Sequence, residues 1–280
     1  MTLFAFNLCN LFLSSDQTSL ADADAAHFVG KFIKKTTKTL KQQGTYASDL
    51  SVILSGNIGN FRAKSLDTFL TLMLERVRRV IYVPSYLELA GLDIDEIDYY
   101  VNDHFSTKFG SLVQVLYRKT VEIEGVVVSG ASTLLDYSQF NWFELQSFYY
   151  YPLWDVQGPN PITLGYYVVN ESLLDREFWS SRKVREDVWI TGSGFYPDQK
   201  FCCDTRHQSD LFTKAASAKS PRYLYTNNIY TPTRDCLPLM KQCPANRTEI
   251  VSNSIKSFNP KTYSLESTFK AFYKDCQWIV

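Results

Sequence analysis

Cysteine, histidine and aspartate residues are concentrated between residues 198 and 243, and these are the side chains that could bind zinc or act as a nucleophile. The group comprises Asp198, Cys202, Cys203, Asp204, His207, Cys236 and Cys243. A zinc site or a Cys/His nucleophile pair would need these side chains within coordination or hydrogen-bond distance. The cysteines lack the paired C-x₂-C spacing of zinc knuckles, so free thiols in a reducing compartment are the favoured interpretation. A relocated hydrolase or zinc site, made of the four cysteines and His207, stays open as the alternative.

Histidine is scarce elsewhere, and this limits the metal chemistry that the chain can support. Its three histidines are His27, His104 and His207. A two-metal hydrolase holds two cations about 4 Å apart and bridges them with a shared ligand. Imidazole and carboxylate groups then supply most of the remaining coordination. The sequence therefore predicts no metal or other cofactor outside the alternative zinc site.

Composition excludes several other classes of function. The chain has 280 residues, 45% of them hydrophobic and 15% aromatic, which is ample for a packed core of one or two domains. Lys and Arg total 29, as do Asp and Glu, so net charge gives no reason to expect a nucleic-acid partner. No run approaches the roughly 20 apolar residues of a membrane span. The apolar start of the chain, residues 3–8, lacks the basic residues of a signal peptide and is interpreted as a first buried strand.

Strand-like and helix-like segments alternate over the first two-thirds of the chain. This order predicts an α/β fold in which helices flank the sheets, with the loops of parallel strands at one sheet edge. Strands are predicted at 3–8, 51–54, 80–83, 113–117, 121–128, 166–169 and 188–190, and helices at 20–43, 63–79, 92–102 and 173–185. Beyond about residue 200 the pattern weakens, with only a helix at 265–274 predicted. We expect a domain over residues 1–225 and an irregular C-terminal extension over 226–280.

Four segments stand where strands pass into loops, and together they resemble a known family. They are residues 8–13, 54–60, 82–89 and 187–195, which include L-S-G-N-I-G-N at 54–60 and V-P-S-Y-L-E at 83–88. In order and context they resemble the calcineurin-like metallophosphoesterases, whose motifs are D-x-H, G-D, G-N-H-E, a lone H and G-H-x-H. The resemblance implies a metallophosphoesterase-like α/β sandwich of central mixed sheets flanked by helices.

The same resemblance implies that the metal ligands have been replaced. Two cations in this family take roughly five histidines together with acidic residues, and this chain has too few. The vestigial metal-site positions fall on Asn10, Phe12, Asn57, Tyr86, Leu87, Glu171, Ser193 and Phe195. A neutral amide such as Asn57 is a poor bridge between two dications because it supplies one weak oxygen in place of a shared anion.

These positions lead to one main hypothesis on function and one alternative. The main hypothesis is a catalytically inactive metallophosphoesterase-like protein, not an enzyme, which acts as a binding or structural component with one or more protein partners. A component of a virion or other large assembly would suit a neutral, aromatic-rich chain, in the cytoplasm or within a viral particle. The alternative is a hydrolase with a relocated Cys/His or zinc site, or with residual phosphoesterase activity. A third, weaker hypothesis is an anion site on the backbone N–H groups of residues 56–60.

Overall fold

The computed structural model of the chain describes fifteen stretches of sequence. These are residues 5–8, 11, 13, 25–34, 37, 46–89, 92–133, 173–183, 188–192, 215, 218–219, 221, 223–228 and 249–254, with residue 90–91 excluded between the two longest. Within these residues the strands form two sheets, one of four strands and one of five. Both sheets are flanked by helices.

The first sheet is wholly parallel, and its strands follow the order of the chain. It contains β1 (Ala5–Leu8), β2 (Ser51–Ser55), β3 (Arg79–Val83) and β4 (Val113–Val115). Its helices are α1 (25–34), α2 (Lys64–Leu74), the short α3 (Tyr86–Leu89), α4 (Ile94–Tyr99) and α5 (Phe105–Phe109). A π-helical turn, Tyr100–His104, joins α4 to α5. Asp93 begins α4 by accepting the Glu96 N–H at 2.8 Å, while Glu96 accepts the Asp93 N–H at 3.0 Å, a reciprocal capping box.

The second sheet is mixed. It contains β5 (Lys119–Ile123), β6 (Val126–Ala131), β7 (Val188–Thr191), β8 (Tyr223–Asn228) and β9 (Glu249–Ser254), with β5 and β6 antiparallel and β6 to β9 parallel. Glu124 and Gly125, with φ of 55° and 80°, turn β5 into β6. Two central residues with positive φ match the right-handed twist of a hairpin. The single strand predicted over 121–128 was therefore wrong, because this turn divides it into two strands.

Three hydrophobic clusters separate the layers. Alternate residues of β2 and β3 point to opposite faces: Val52, Leu54, Val80 and Tyr82 contact the helices, whereas Ile53, Ile81 and Val83 face the second sheet. The second sheet answers with Leu116, Ile123, Val128, Val188 and Ile190. On its outer side, helix α6 (173–180) packs Trp179 against Trp189 of β7, with ring centroids 4.7 Å apart. The layers are therefore helix, sheet, sheet and helix, which confirms the predicted α/β sandwich.

The predicted domain boundary at residue 225 falls inside β8. β9, which lies within the predicted extension 226–280, pairs with β8 from Tyr223↔Glu249 to Asn228↔Ser254. At least this strand of the extension therefore belongs to the sheet. The strand predicted at 166–169 and the helix predicted at 265–274 lie outside the described residues. Among the residues that are described, no helix is both long and apolar enough to span a membrane.

Candidate functional site at the carboxyl ends of the strands

Loops from both sheets meet at the carboxyl ends of the parallel strands, and we call this region the loop edge. It comprises Leu11 and Leu13 after β1, residues 56–60 after β2, residues 84–88 after β3, Ser132 and Thr133 after β6, and Gly192 after β7. The first two loops are joined where the Leu13 N–H donates to the Ile58 carbonyl at 2.7 Å. Parallel α/β sheets hold their ligand sites at this edge, which makes it the candidate site.

The loop after β2 begins with two residues in the left-handed region. Gly56 and Asn57 have φ of 81° and 55°. Asparagine is one of the few residues other than glycine that tolerates this conformation readily. The turn aims the successive N–H groups of Asn57, Ile58 and Gly59 to one side, which forms the kind of backbone concavity called a nest.

A buried carboxylate fills this nest. Glu88 Oε1 accepts the N–H groups of Ile58 at 2.6 Å and Gly59 at 3.4 Å, and Oε2 accepts that of Asn57 at 3.1 Å. The Ser85 N–H also donates to Oε2, at 2.8 Å, and the Tyr82 hydroxyl donates to Oε1 at 3.0 Å. Farther along the loop, the Phe61 N–H donates to the Glu88 carbonyl at 3.1 Å. Glu88 therefore locks the β2 loop to the β3 loop, and both of its carboxylate oxygens are engaged inside the protein.

Burial dominates the acid–base properties of this pair. It raises the pKa of Glu88 above the usual value, although the backbone N–H groups of Ile58 and Ser85 and the Tyr82 hydroxyl oppose the rise by stabilising the carboxylate. Burial also raises the pKa of the Tyr82 hydroxyl well above its usual value, and the neighbouring Glu88 charge adds to the effect. Tyr82 therefore acts as a hydrogen-bond donor to Glu88 at neutral pH.

The two sheets come into direct contact at the loop edge. A Cβ added to Gly192 would lie 2.1 Å from the Pro84 carbonyl oxygen and 3.3 Å from that of Ser132. Gly192 also donates its N–H to the Ala131 carbonyl at 3.2 Å. The β3, β6 and β7 loops therefore pack backbone against backbone, and only glycine fits at this position.

Hydroxyl side chains and backbone strain mark the second sheet's part of the edge. Thr133 has φ of 55°, which is unusual for a β-branched residue. Its hydroxyl accepts the Trp179 indole N–H at 3.1 Å and donates to the Ala131 carbonyl at 3.2 Å. The hydroxyls of Ser85 and Ser132 are buried and have no hydrogen-bond partner among the described residues. The Trp179 contact holds the strained turn in place.

The structure describes only some of the predicted site positions. Asn57 is buried in the nest turn, and Tyr86 and Leu87 lie in α3, where the structure describes their backbone only. The other vestigial positions, Asn10, Phe12, Glu171, Ser193 and Phe195, lie outside the described residues, as do Cys202, Cys203, His207, Cys236 and Cys243 of the alternative site. Within the described part of the chain, no three or more His, Cys, Asp or Glu side chains are grouped so as to hold a metal ion.

Glu88 is the residue of the site that the sequence analysis missed. It lay inside one of the four quoted segments but was given no role. A signal was available, because Ser85 and Glu88 have the S-x-x-E spacing in which a glutamate returns to the N–H at the start of a helix. The bond from the Ser85 N–H to Glu88 is this interaction. The contribution of the β2 loop could not be read from local spacing, because it comes from about thirty residues earlier in the chain.

Comparison with known proteins identifies a structural neighbour. No protein-family model matches the chain, and no curated protein matches it in sequence. Among solved structures, the phosphopantetheinyl hydrolase (PptH) of Mycobacterium tuberculosis superposes with a TM-score of 0.50 at 12% identity, over 90% of this chain and 89% of that one. What the two share is the fold. This supports a metallophosphoesterase-like fold, since the neighbour is a hydrolase of that type.

The comparison also corrects one interpretation of the sequence. The hypothesis that the chain is not an enzyme is contradicted, because the neighbour that shares its fold over most of both chains is an enzyme. That hypothesis depended on residue replacements at eight positions, most of which lie outside the described residues. Replaced ligands do not by themselves exclude chemistry elsewhere on such a fold.

Proposed function

We propose that this chain is a binding protein built on a metallophosphoesterase-like fold, and that its loop edge recognises a protein partner. The observation that carries the proposal is the Glu88 network, in which one buried carboxylate joins the β2 and β3 loops through five hydrogen bonds. A surface held in one conformation loses little entropy when a partner binds to it. The neutral overall charge favours recognition by shape and local contacts over long-range electrostatic attraction.

The loop edge also carries charged groups that a partner can contact. Arg62, which directly follows the nest loop, is exposed and forms an ion pair with Glu96 of α4. An arginine at the rim of a binding surface presents several donors in a fixed planar arrangement, and arginine is enriched in protein interfaces. The proposal extends to a role in an assembly, in the cytoplasm or within a viral particle, and to replacement of the metal pair at the eight vestigial positions.

Charge reversal on either side of the first sheet tests this proposal. Arg62→Glu changes the loop edge, whereas Arg76→Glu changes an exposed residue between α2 and β3, at the opposite, amino end of the strands. Partners are identified by cross-linking to the full chain in its source cells, and association is then measured with the purified partner. The proposal requires that Arg62→Glu weakens association while Arg76→Glu leaves it unchanged. Equal effects of the two variants, or cross-links confined to the amino end, would contradict it.

Phosphoester hydrolysis is the second candidate, and the hydrolase fold of the structural neighbour favours it. On this chain such chemistry would use groups outside the nest, since both oxygens of Glu88 are engaged by internal donors. Metal content of the purified protein, with phosphomonoester and phosphodiester turnover in excess manganese, tests this candidate. Two bound transition metals or manganese-dependent turnover would establish it, and one zinc with hydrolysis lost in Cys202→Ser or His207→Ala would establish the relocated site.

A further inference from the structure

We propose that the turn after β2 and the start of α3 form a carboxylate-binding site whose built-in ligand is Glu88, and that its occupancy sets the shape of the loop edge. The second half of this proposal rests on the proposed binding function. The first half does not, because it concerns the protein alone. Glu88 is a positioning residue in this account, since it acts through the loop it holds.

The donors match the geometry of a single carboxylate. Three of them, the N–H groups of Ile58 and Gly59 and the Tyr82 hydroxyl, converge on Oε1, and two, the N–H groups of Asn57 and Ser85, converge on Oε2. Four of the five are backbone groups whose positions are fixed by the fold. Such a site keeps its shape when the side chain that fills it is removed.

Charge and size define the class of ligand. All five donors are neutral, so the site compensates one negative charge through hydrogen bonds alone. A phosphate dianion would bring a second buried charge with no cation to balance it, which is costly at a fully buried position. The Glu88→Ala substitution removes two carbons and two oxygens, the atoms of acetate. We therefore expect the vacated site to take small monocarboxylates, with acetate fitting best.

The experiment uses the full chain carrying Glu88→Ala, with amide hydrogen exchange at residues 57–59 and 85 as the readout. In chloride these amides exchange faster than in the wild type. Sodium acetate slows their exchange by about tenfold at ten times its dissociation constant and follows one-site binding. Formate and propionate act more weakly, and phosphate at the same ionic strength has no effect. Leu70→Ala, which destabilises the core but leaves the nest filled, is the matched control and gains nothing from acetate over chloride.

Two results would overturn the proposal. One is unchanged exchange at residues 57–59 in Glu88→Ala, and the other is equal protection by acetate and chloride. If Glu88→Ala does not fold, Glu88→Asp replaces it, since a carboxylate shorter by one methylene reaches the donors poorly and the amides should exchange faster than in Leu70→Ala. Partner binding does not enter these readouts. Failure of the proposed function, which the Arg62→Glu comparison tests, is therefore distinguishable from failure of this site.

Discussion

At the scale of single residues, Glu88 is an acidic side chain used to hold backbone. A buried carboxylate is costly unless its lone pairs are satisfied, and here neutral donors satisfy both oxygens. The same five groups would lose their acceptor if the side chain were truncated. The energetic importance of Glu88 therefore lies mainly in what its removal would leave unpaired.

Glu88→Ala should lower the free energy of unfolding by about 3–5 kcal/mol, because it leaves several buried donors without an acceptor. Glu75→Ala, at the exposed end of α2, should change it by less than about 0.5 kcal/mol. Urea denaturation of both variants in chloride buffer measures the difference. Equal and small effects would show that water reaches the donors readily.

The stability of the wild type relative to Glu88→Gln should depend on pH. Burial raises the folded-state pKa of Glu88 above the reference value of 4.5, so the folded protein binds this proton more tightly than the unfolded chain does. The associated stabilisation is complete below about pH 4.5 and is lost as the pH rises through the folded-state pKa. Glutamine carries no proton in this range. The free energy of unfolding of the wild type minus that of Glu88→Gln should therefore fall as the pH rises, by no more than about 1.4 kcal/mol per pH unit. A difference that grows with pH would reverse the direction assigned to this pKa.

At the scale of elements, glycines set how closely the two sheets approach. Gly130 of β6 lies against Leu116 and Val83, and an added Cβ would meet the Leu116 Cβ and the Val83 Cγ2 each at 2.7 Å. Gly30 of α1 is the contrasting case, since it is exposed and nothing lies within 4 Å of an added Cβ. Substitution at the two positions should have effects of opposite sign.

Gly130→Ala should destabilise the protein by about 1–3 kcal/mol through overpacking between the sheets. Gly30→Ala should stabilise it by up to about 1 kcal/mol, because alanine favours a helix and meets no neighbour here. Thermal or urea denaturation of the two variants checks both signs. Stabilisation by Gly130→Ala would mean that the sheets can separate at low cost.

The same elements show which parts of the fold the sequence could predict. β2, β3 and β7 are buried on both faces and appear as short continuous apolar runs, so they were predicted. β8 and β9, Y-L-Y-T-N-N and E-I-V-S-N-S, end in polar residues and lack such a run. At the loop edge, Gly56 and Asn57 indicated a turn, but the Glu88 contact joins residues about thirty positions apart. Local patterns cannot show that contact.

At the scale of the whole molecule, one cluster of side chains connects the two sheets. Ile53 and Ile81 of the first sheet pack with Val188 and Ile190 of the second, all of them fully buried. A residue in this layer is therefore shared by both sheets. Damage there should be felt on both sides of the sandwich.

Ile81→Ala should lower the free energy of unfolding by about 2–5 kcal/mol, because it leaves a cavity between the sheets. Backbone amides of β3 and of β7 should both exchange faster and by similar factors, since they depend on the same layer. Amide hydrogen exchange resolved by strand measures this. Faster exchange in β3 alone would mean that the second sheet is stable without the first.

The order of strands along the chain has a consequence for synthesis on the ribosome. All four strands of the first sheet have been translated by Val115, whereas the second sheet needs residues up to Ser254 before β9 can pair. At about 5–20 residues per second, the gap between these two points lasts on the order of ten seconds. During that time the apolar face formed by Ile53, Ile81 and Val83 has no second sheet to cover it. A nascent chain arrested after Val115 should therefore recruit chaperones through this face, and release of the complete chain should end the contact.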